Sequence, residues 1–476
     1  MYNAYITRIK NMHKHPNADR LQIGECFGNA VIVSMEYEDN QLGVYFPSDG
    51  QLSVEFAEAN NLLRKKDDAG NNIGGYMDPD KRNVTAIKLR GEKSDGIFLP
   101  LKSLESFGDI TTLREGDRID NFNGREICCK YVPRTQSRRG RYSEGNKTRK
   151  KKVPVAPLFS EHADTEQLAY NLSAFKPGDE IEITLKMHGT SQRTGYLPVL
   201  KGYKKSFLDW LFRREGKPIY DWGYVSGTRR VVLENYEGGY YGDNAFREQH
   251  SKIFDGKLWK GETVYYEVVG FTTNGTPIMA SADNKKLNDK EFIKQYGAET
   301  VFSYGCSPLG LGINESYFEG NIEEGIVKDC PQSDIYVYRM TMTNEDGDVV
   351  EYTPDFMRYR CEQMGVKTVP VFAKVYVRED AVLIHEINGN CWGGGLPEGG
   401  CVGDGILHAA ERYYDGPDPV GKTHVREGVV VRIINRPKFC AYKHKNWYFK
   451  ALEGIVKVEA EAPDIEEAES IKNDTE

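Results

Sequence analysis

Between Lys130 and Lys152 the chain carries ten Lys/Arg and one acid, Glu144, interleaved with Ser, Gly and Asn. Like charges at that density repel one another, and the small polar residues between them have nothing to bury, so this stretch cannot join a core. It divides the chain. At 476 residues the sequence is in any case too long for a single core. The division predicts a β-rich module over 1–125, a basic linker over 126–155 and a larger module over 156–457. An acidic tail follows over 458–476, in which Glu459 to Glu476 hold eight acids and one lysine. A tail of that composition is expected to be disordered.

The basic stretch also bears on partners. Net charge is −8, which alone argues against a nucleic-acid partner. A basic island in an acidic chain argues the other way, because it concentrates the field where phosphates can meet it. The linker is therefore read as flexible and as touching phosphates, through Arg138, Arg139 and Arg141. The remaining composition, 39% hydrophobic and 28% charged, is that of a soluble globular protein. No apolar run is long enough to span a membrane, and no basic segment leads into an apolar core at the start. Nine cysteines without a C-x-x-C pair argue for reduced thiols and against a zinc site. The expectation is an intracellular, cytoplasmic protein without a membrane partner, monomer favoured.

Within 1–125, short alternating runs recur: Ala4–Ile9, Val31–Ser34, Leu42–Phe46, Val84–Leu89 and Gly96–Leu99. Turn residues separate them, which predicts a small β-barrel. The loop from His15 to Leu21, His-Pro-Asn-Ala-Asp-Arg-Leu, resembles the first-hairpin loop of OB-fold tRNA-binding domains. The resemblance implies an OB-type barrel with RNA contacts from His15, Asn17 and Arg20; Pro, Asn and Asp in that loop equally make a turn.

The second module opens with Asp164 and, three residues on, Gln167, a pairing that predicts a helix start. Next comes Ile181-Glu182-Ile183-Thr184-Leu185-Lys186-Met187-His188-Gly189-Thr190-Ser191, a strand that carries one lysine into a tight Gly-Thr-Ser turn. A lysine amine fixed beside a glycine that lets a phosphate approach suits covalent nucleotidyl transfer. Four further elements follow in order. Arg229 and Arg230 stand at the mouth of a strand. Glu267 and Glu427 each lie in or at the start of an apolar strand. Lys443 and Lys445 share one face of a strand, since side chains alternate with period two. Lone strand acids also block edge pairing, and a K-x-K strand also makes a solvated face. Together, however, lysines and arginines neutralise a triphosphate and acids hold a divalent metal through oxygen.

This order resembles the covalent nucleotidyltransferase superfamily of ligases and mRNA-capping enzymes. Lys186-Met187-His188-Gly189-Thr190-Ser191 is similar to its first motif in the form found in RNA ligases, with histidine rather than aspartate at the third position. Glu267 and Glu427 match the third and fourth motifs, and Lys443 with Lys445 the fifth. Tyr338 matches the aromatic that stacks on adenine, with Tyr336 two positions away on the same face. Either Arg229 or Arg230 matches the arginine motif. Glu324 and Glu453 begin similar Glu-Gly-Ile-Val-Lys strings, but neither is followed by a K-x-K at hairpin distance. The barrel lies before the motifs rather than after them, an arrangement similar to ATP-dependent RNA ligases with an N-terminal OB-fold.

The resemblance implies an α+β fold, an OB-type barrel followed by an adenylation domain with antiparallel sheets. It implies ATP and Mg2+ or Mn2+ as cofactors and RNA as partner. Lys186 is then the nucleophile, forming lysyl-AMP. Nucleotide contacts fall to Leu185, His188, Gly189, Ser191, Arg229, Arg230, Glu267, Tyr338, Lys443 and Lys445, and metal to Glu427 and Glu267. Sealing of RNA 3′-hydroxyl and 5′-phosphate ends follows through RNA-adenylate, in RNA repair. A DNA ligase, a capping guanylyltransferase and a non-catalytic RNA-binding protein are the alternatives. The segment 202–214 departs from the family as an insertion that reads as a short amphipathic basic helix. Its expected role is packing through Phe207, Trp210 and Leu211, or RNA contact through Lys204, Arg213 and Arg214.

Overall fold

The computed structural model describes residues 2–66, 72–131, 153–207, 212, 216–236, 244–278, 290–296, 304, 322–323, 326–327, 332–396, 401–421 and 424–450. Arg138, Arg139, Arg141, the acidic tail and the strings at Glu324 and Glu453 lie outside them. The chain forms two compact units, Met1–Pro133 with Lys450–Glu461 and Arg134–Phe449 with Ala462–Glu476.

In the first unit β1 (Ala4–Arg8) and β2 (Lys10–Lys14) follow one another across Ile9. β3 (Leu21–Cys26) and β4 (Asn29–Ser34) form a hairpin that adds to β2. β5 (Leu42–Phe46) pairs with β1 and with β7 (Ile97–Pro100), which continues β6 (Glu92–Asp95) across Gly96. These strands form a four-stranded sheet in the order β7, β5, β1 and Arg118–Ile119, a three-stranded sheet of β2, β3 and β4, and a two-stranded ladder of β6 with Ala86–Leu89. A side chain ties β4 to β6: Ile32 N donates to Ser94 Oγ at 3.0 Å. Inward residues of the alternating strands, Ile6, Val44 and Phe46, meet Phe56, Leu104 and Phe107 in the core. Residues 128–130, expected within the linker, instead pair with Gly50–Leu52.

The second unit holds two seven-stranded, mostly antiparallel sheets with helices, an α+β architecture. The first runs Glu166–Gln167, β15 (Cys440–Lys445), β14 (Gly428–Ile433), β8 (Glu180–Leu185), β13 (Val371–Val377), Ala381–Glu386, Cys391–Gly395. The second runs Val232–Leu233, β10 (Lys217–Gly227), β9 (Thr190–Lys204), β11 (Glu262–Gly270), β12 (Ser333–Thr343), Val349–Glu351, with Lys367–Thr368 parallel to β12. β8 lies between β13 and β14, so its apolar Ile181, Ile183 and Leu185 are all fully buried. Four residues, 186–189, carry the chain from one sheet into the other.

One local expectation fails, and another gives way at its start. No helix starts at Asp164: Glu166–Gln167 pairs with β15, and 3-10 turns follow. The Asp164 carboxylate is taken by Arg229 and Arg230 instead of by backbone amides. The insertion does not begin as a helix either. Gly202, Tyr203 and Lys204 extend β9, paired with Ile219, Pro218 and Lys217 of β10. Residues 208–211 and 213–215, including Trp210, Leu211, Arg213 and Arg214, lie outside the described residues.

Candidate active site

A cleft opens between the two sheets of the second unit. β8, β14 and β15 contribute Glu182, Thr184, Leu185, Val430, Arg432 and Lys443; β9, β11 and β12 contribute Ser191, Glu267 and Tyr338. Lys186 and Met187 lie in the crossing between the sheets, and His162 and Arg229 close another wall. Alternation along β8 brings Glu182, Thr184 and Lys186 to one face. The sequence reading attended to the lysine and missed the other two.

Lys186 follows the last residue of β8. Its amide donates to Gly428 O at 3.0 Å, and its Nζ lies 2.7 Å from Glu427 Oε1. The same oxygen meets Lys445 Nζ at 3.3 Å, and Glu427 Oε2 meets His188 Nδ1 at 3.4 Å. Only 4% of the Glu427 side chain is exposed. Burial alone would push its carboxyl up. The charges of Lys186 and Lys445 and the His188 hydrogen bond outweigh burial and hold it well below the usual carboxylate range. His188 and Lys445, expected at the nucleotide, thus stand against Glu427 rather than in the cleft lining. The His188 ring packs edge-on to Phe449, 4.8 Å between centroids.

Two glycines let this arrangement form. A Cβ on Gly189 would lie 2.4 Å from Val268 O and 2.9 Å from Glu267 Cγ. The glycine lets β9 start against β11; what comes close to it is backbone, where the sequence reading placed phosphate. Gly428 has φ +145°, and a Cβ there would lie 2.1 Å from His444 O.

The two tyrosines on β12 are separated by a bulge. Val337 and Arg339 face the consecutive residues Tyr266 and Tyr265 of β11, so Tyr338 is the extra residue. Tyr336 is 5% exposed and packs with Leu185, Met187 and Val269. Tyr338 lines the cleft, with its hydroxyl 2.8 Å from Ser191 Oγ and its ring edge-on to His162 at 5.4 Å. Burial, then the charges of Arg229 and Arg339, push the His162 imidazole down to about 3, so it is neutral near pH 7. Of the two arginines, Arg229 lines the cleft, and Arg230 has a half-exposed side chain 3.3 Å from Asp164. Desolvation opposes ionisation of Asp164, yet Arg229 and then Arg230 keep its carboxyl below the usual range.

At the deep end Glu182, 3% exposed, pairs with Arg358 Nη2 at 2.9 Å. Arg358 comes from helix Pro354–Met364, which Thr353 caps at its start. Arg432 lies beside them, its Nη2 donating to Tyr352 O at 3.1 Å. The charged floor follows from the period of β8 and β14, but its Arg358 partner is distant in sequence and carried no local signal.

The expected RNA-contact residues of the first unit separate by burial. His15 is 1% exposed, with Nε2 3.1 Å from Leu89 O and Nδ1 accepting from Asn17 N at 3.0 Å. It holds the loop shut and presents nothing to solvent. Asn17 is exposed but donates to Arg90 O at 2.9 Å, and Arg20 is exposed.

No family model and no curated protein matches this sequence. Among solved structures, a Naegleria gruberi RNA ligase with PPi is similar over 96% of this chain and 99% of its own, at 15% identity and a TM-score of 0.51. The chain shares that ligase fold. A mutant of the same Naegleria ligase with ATP and Mn matches over 95% and 98%, at 14% identity and a TM-score of 0.48. Among the described residues no helix is long and apolar enough to cross a membrane.

Proposed function

We propose that the protein is an ATP-dependent RNA ligase that seals 3′-hydroxyl and 5′-phosphate ends through lysyl-AMP. One observation carries the reading: Lys186, Arg229, Glu267, Tyr338 and Lys443, far apart in sequence, line one cleft. Their types suit a nucleoside triphosphate. Tyr338 offers a ring for the base, Arg229 and Lys443 offer charge for phosphates, and Lys186 offers an amine. The Naegleria gruberi ligase of the same fold was captured with PPi, the leaving group of the first step proposed here.

A divalent cation, Mg2+ or Mn2+, fits the donors present. Glu267 and Glu427 supply two carboxylates, and among the described residues no group of three His, Cys, Asp or Glu forms. A hard cation that takes one or two carboxylates and completes its shell with phosphate oxygens and water needs no more. When bound, it supplies neutralisation of phosphate charge. Lys186 in its neutral form attacks the α-phosphorus, the N–P bond forms and pyrophosphate leaves. An ordinary lysine is protonated at neutral pH, so its proton must depart first, and Glu427 is the carboxylate within reach. AMP then passes to an RNA 5′-phosphate, and a 3′-hydroxyl displaces it to seal the strand. Positioning and charge stabilisation carry all three steps. A place for this sealing in RNA repair rests on the same reading.

The test is incubation with α-labelled ATP or GTP and divalent metal, followed by denaturing electrophoresis. Covalent label from ATP that disappears in Lys186→Ala is expected. Absence of label with both nucleotides overturns the proposal, and label from GTP alone replaces it with a capping activity.

A further inference from the structure

The hairpin of β9 and β10 outgrows its sheet. β9 pairs with β11 only from Thr190 to Gly195, yet its ladder with β10 runs on to Lys204 and Lys217. Over its last residues it is a two-stranded arm, and such an arm has no core of its own. Its composition is not that of a passive loop. Residues 201–217 hold six Lys/Arg and two acids in a chain of net charge −8. Lys201, Lys204, Lys205 and Lys217 are all exposed.

The aromatics fall into a row. Cross-strand partners share a face, so the pairs Tyr196–Tyr224, Pro198–Trp222, Leu200–Tyr220 and Tyr203–Pro218 put five aromatic residues on one side. Tyr196 and Tyr224 stack at 4.8 Å and anchor the row at the protein core. Trp222 follows at 5.9 Å from Tyr196, with Lys260 Nζ 5.3 Å over its ring. Outward of these stands Tyr203, 40% exposed. The row thus runs from half-buried to open on one face, with Lys260 over it, while the pair Lys204–Lys217 stands on the other face of the same ribbon. Asp221, the one acid in the described part of the arm, faces away from the row, its Oδ1 accepting from Trp222 N at 2.8 Å.

We infer that this arm is a binding surface for single-stranded RNA, its aromatic face on unstacked bases and the lysines of its thin two-stranded ribbon on the phosphates that pass over its edge. Ring faces backed by cations grip single strands without reading sequence, whereas a duplex hides the faces that such rings need. The inference deepens the ligase reading and rests on it for the choice of RNA, naming where the strand to be sealed is held. It uses no residue of the cleft.

The experiment is fluorescence anisotropy of the full chain with a labelled single-stranded RNA across a salt series, alongside ATP labelling of Lys186. The variants are a fourfold Lys→Gln change at Lys201, Lys204, Lys205 and Lys217, and separately Tyr203→Ala. Each phosphate contact on a single strand adds about 0.7 to the slope of log affinity against log salt, so the fourfold variant should lower that slope by about 3. Tyr203→Ala should weaken binding several-fold with its slope kept. Both variants should label with ATP as the parent does, and loss of all labelling in the parent would refute the ligase reading while leaving this result readable. Unchanged affinity and slope in the fourfold variant overturn the inference. So does equal or tighter binding of a duplex of the same length.

Discussion

Glu427 holds together more of the cleft than any other side chain. Two ammonium groups and one imidazole converge on a carboxylate with almost no access to water. Removing one partner of such a cluster leaves the others buried without counter-charge, which costs about 3–5 kcal/mol. Glu427→Gln is therefore expected to lower stability by that order, measured by urea unfolding at pH 7, and to cut ATP labelling by about a hundredfold or more. The pH dependence has a definite sign. The folded carboxyl lies below its ordinary value of 4.5, so the unfolded chain binds the proton first as pH falls. The stabilisation is whole above that ordinary value and is lost as pH drops from it through the folded value. Wild type should lose stability in that acid window more steeply than the Gln variant; parallel pH profiles would show that the cluster does not carry the linkage. The glutamate itself stood out in the sequence as an acid opening an apolar strand. That it pairs with Lys186, 241 positions away by residue number (427 less 186), could be reached only through the order of motifs.

The bulge in β12 shows why one choice in the sequence was harder than the rest. Period-two alternation puts Tyr336 and Tyr338 on one face, and nothing in Ile-Tyr-Val-Tyr-Arg marks an extra residue. The pairing slip at Tyr338 sends one ring to the core and the other to the cleft. The two alanine variants should then separate cleanly. Tyr336→Ala should cost stability by about 3–5 kcal/mol as a core deletion. Tyr338→Ala should fold normally and raise the ATP concentration needed for half-maximal labelling by about tenfold through lost stacking. The reverse pattern would mean that Tyr336 carries the base. A third change belongs to the same elements. Gly189→Ala must push β9 off β11, because Val268 O leaves no room for a methyl group. A loss of about 1–3 kcal/mol is expected in thermal unfolding, the range of overpacked sites. The strands themselves were legible because each alternates or is continuously apolar. The supposed helix at Asp164 was misread because a local capping pattern ignores long-range partners, here Arg229 and Arg230, and in the segment 202–214 it is residues 202–204 that β10 draws into a strand.

At the scale of the molecule, each core cluster of the described residues draws on one unit alone. Ile6, Val44, Phe46 and Phe56 belong to a cluster drawn wholly from the first 128 residues. Val264, Tyr266, Val337 and Met357 belong to another drawn wholly from residues beyond 195, and the cleft packs on Leu185, Met187 and Tyr336 in a third. Because no cluster is shared, the second unit has what it needs to fold alone. The place of the cut matters. Ending a deletion at 125 would leave Cys128–Lys130 without its partner strand Gly50–Leu52, so the deletion should remove residues 2–133 together with Lys450–Glu461, which belongs to the same unit. That protein keeps every cleft residue and should label with ATP as fully as the whole chain. Sealing is another matter if the first unit also contacts RNA, since two linked contacts raise the effective concentration of the second. Losing one should then lower sealing at subsaturating RNA by about a hundredfold. Gel analysis of a nicked and a single-stranded RNA reads both consequences at once. Retained labelling with reduced sealing is the expected pair. Retained labelling with undiminished sealing would leave the first unit no part in gripping the strand, and the whole of that task would fall to the second.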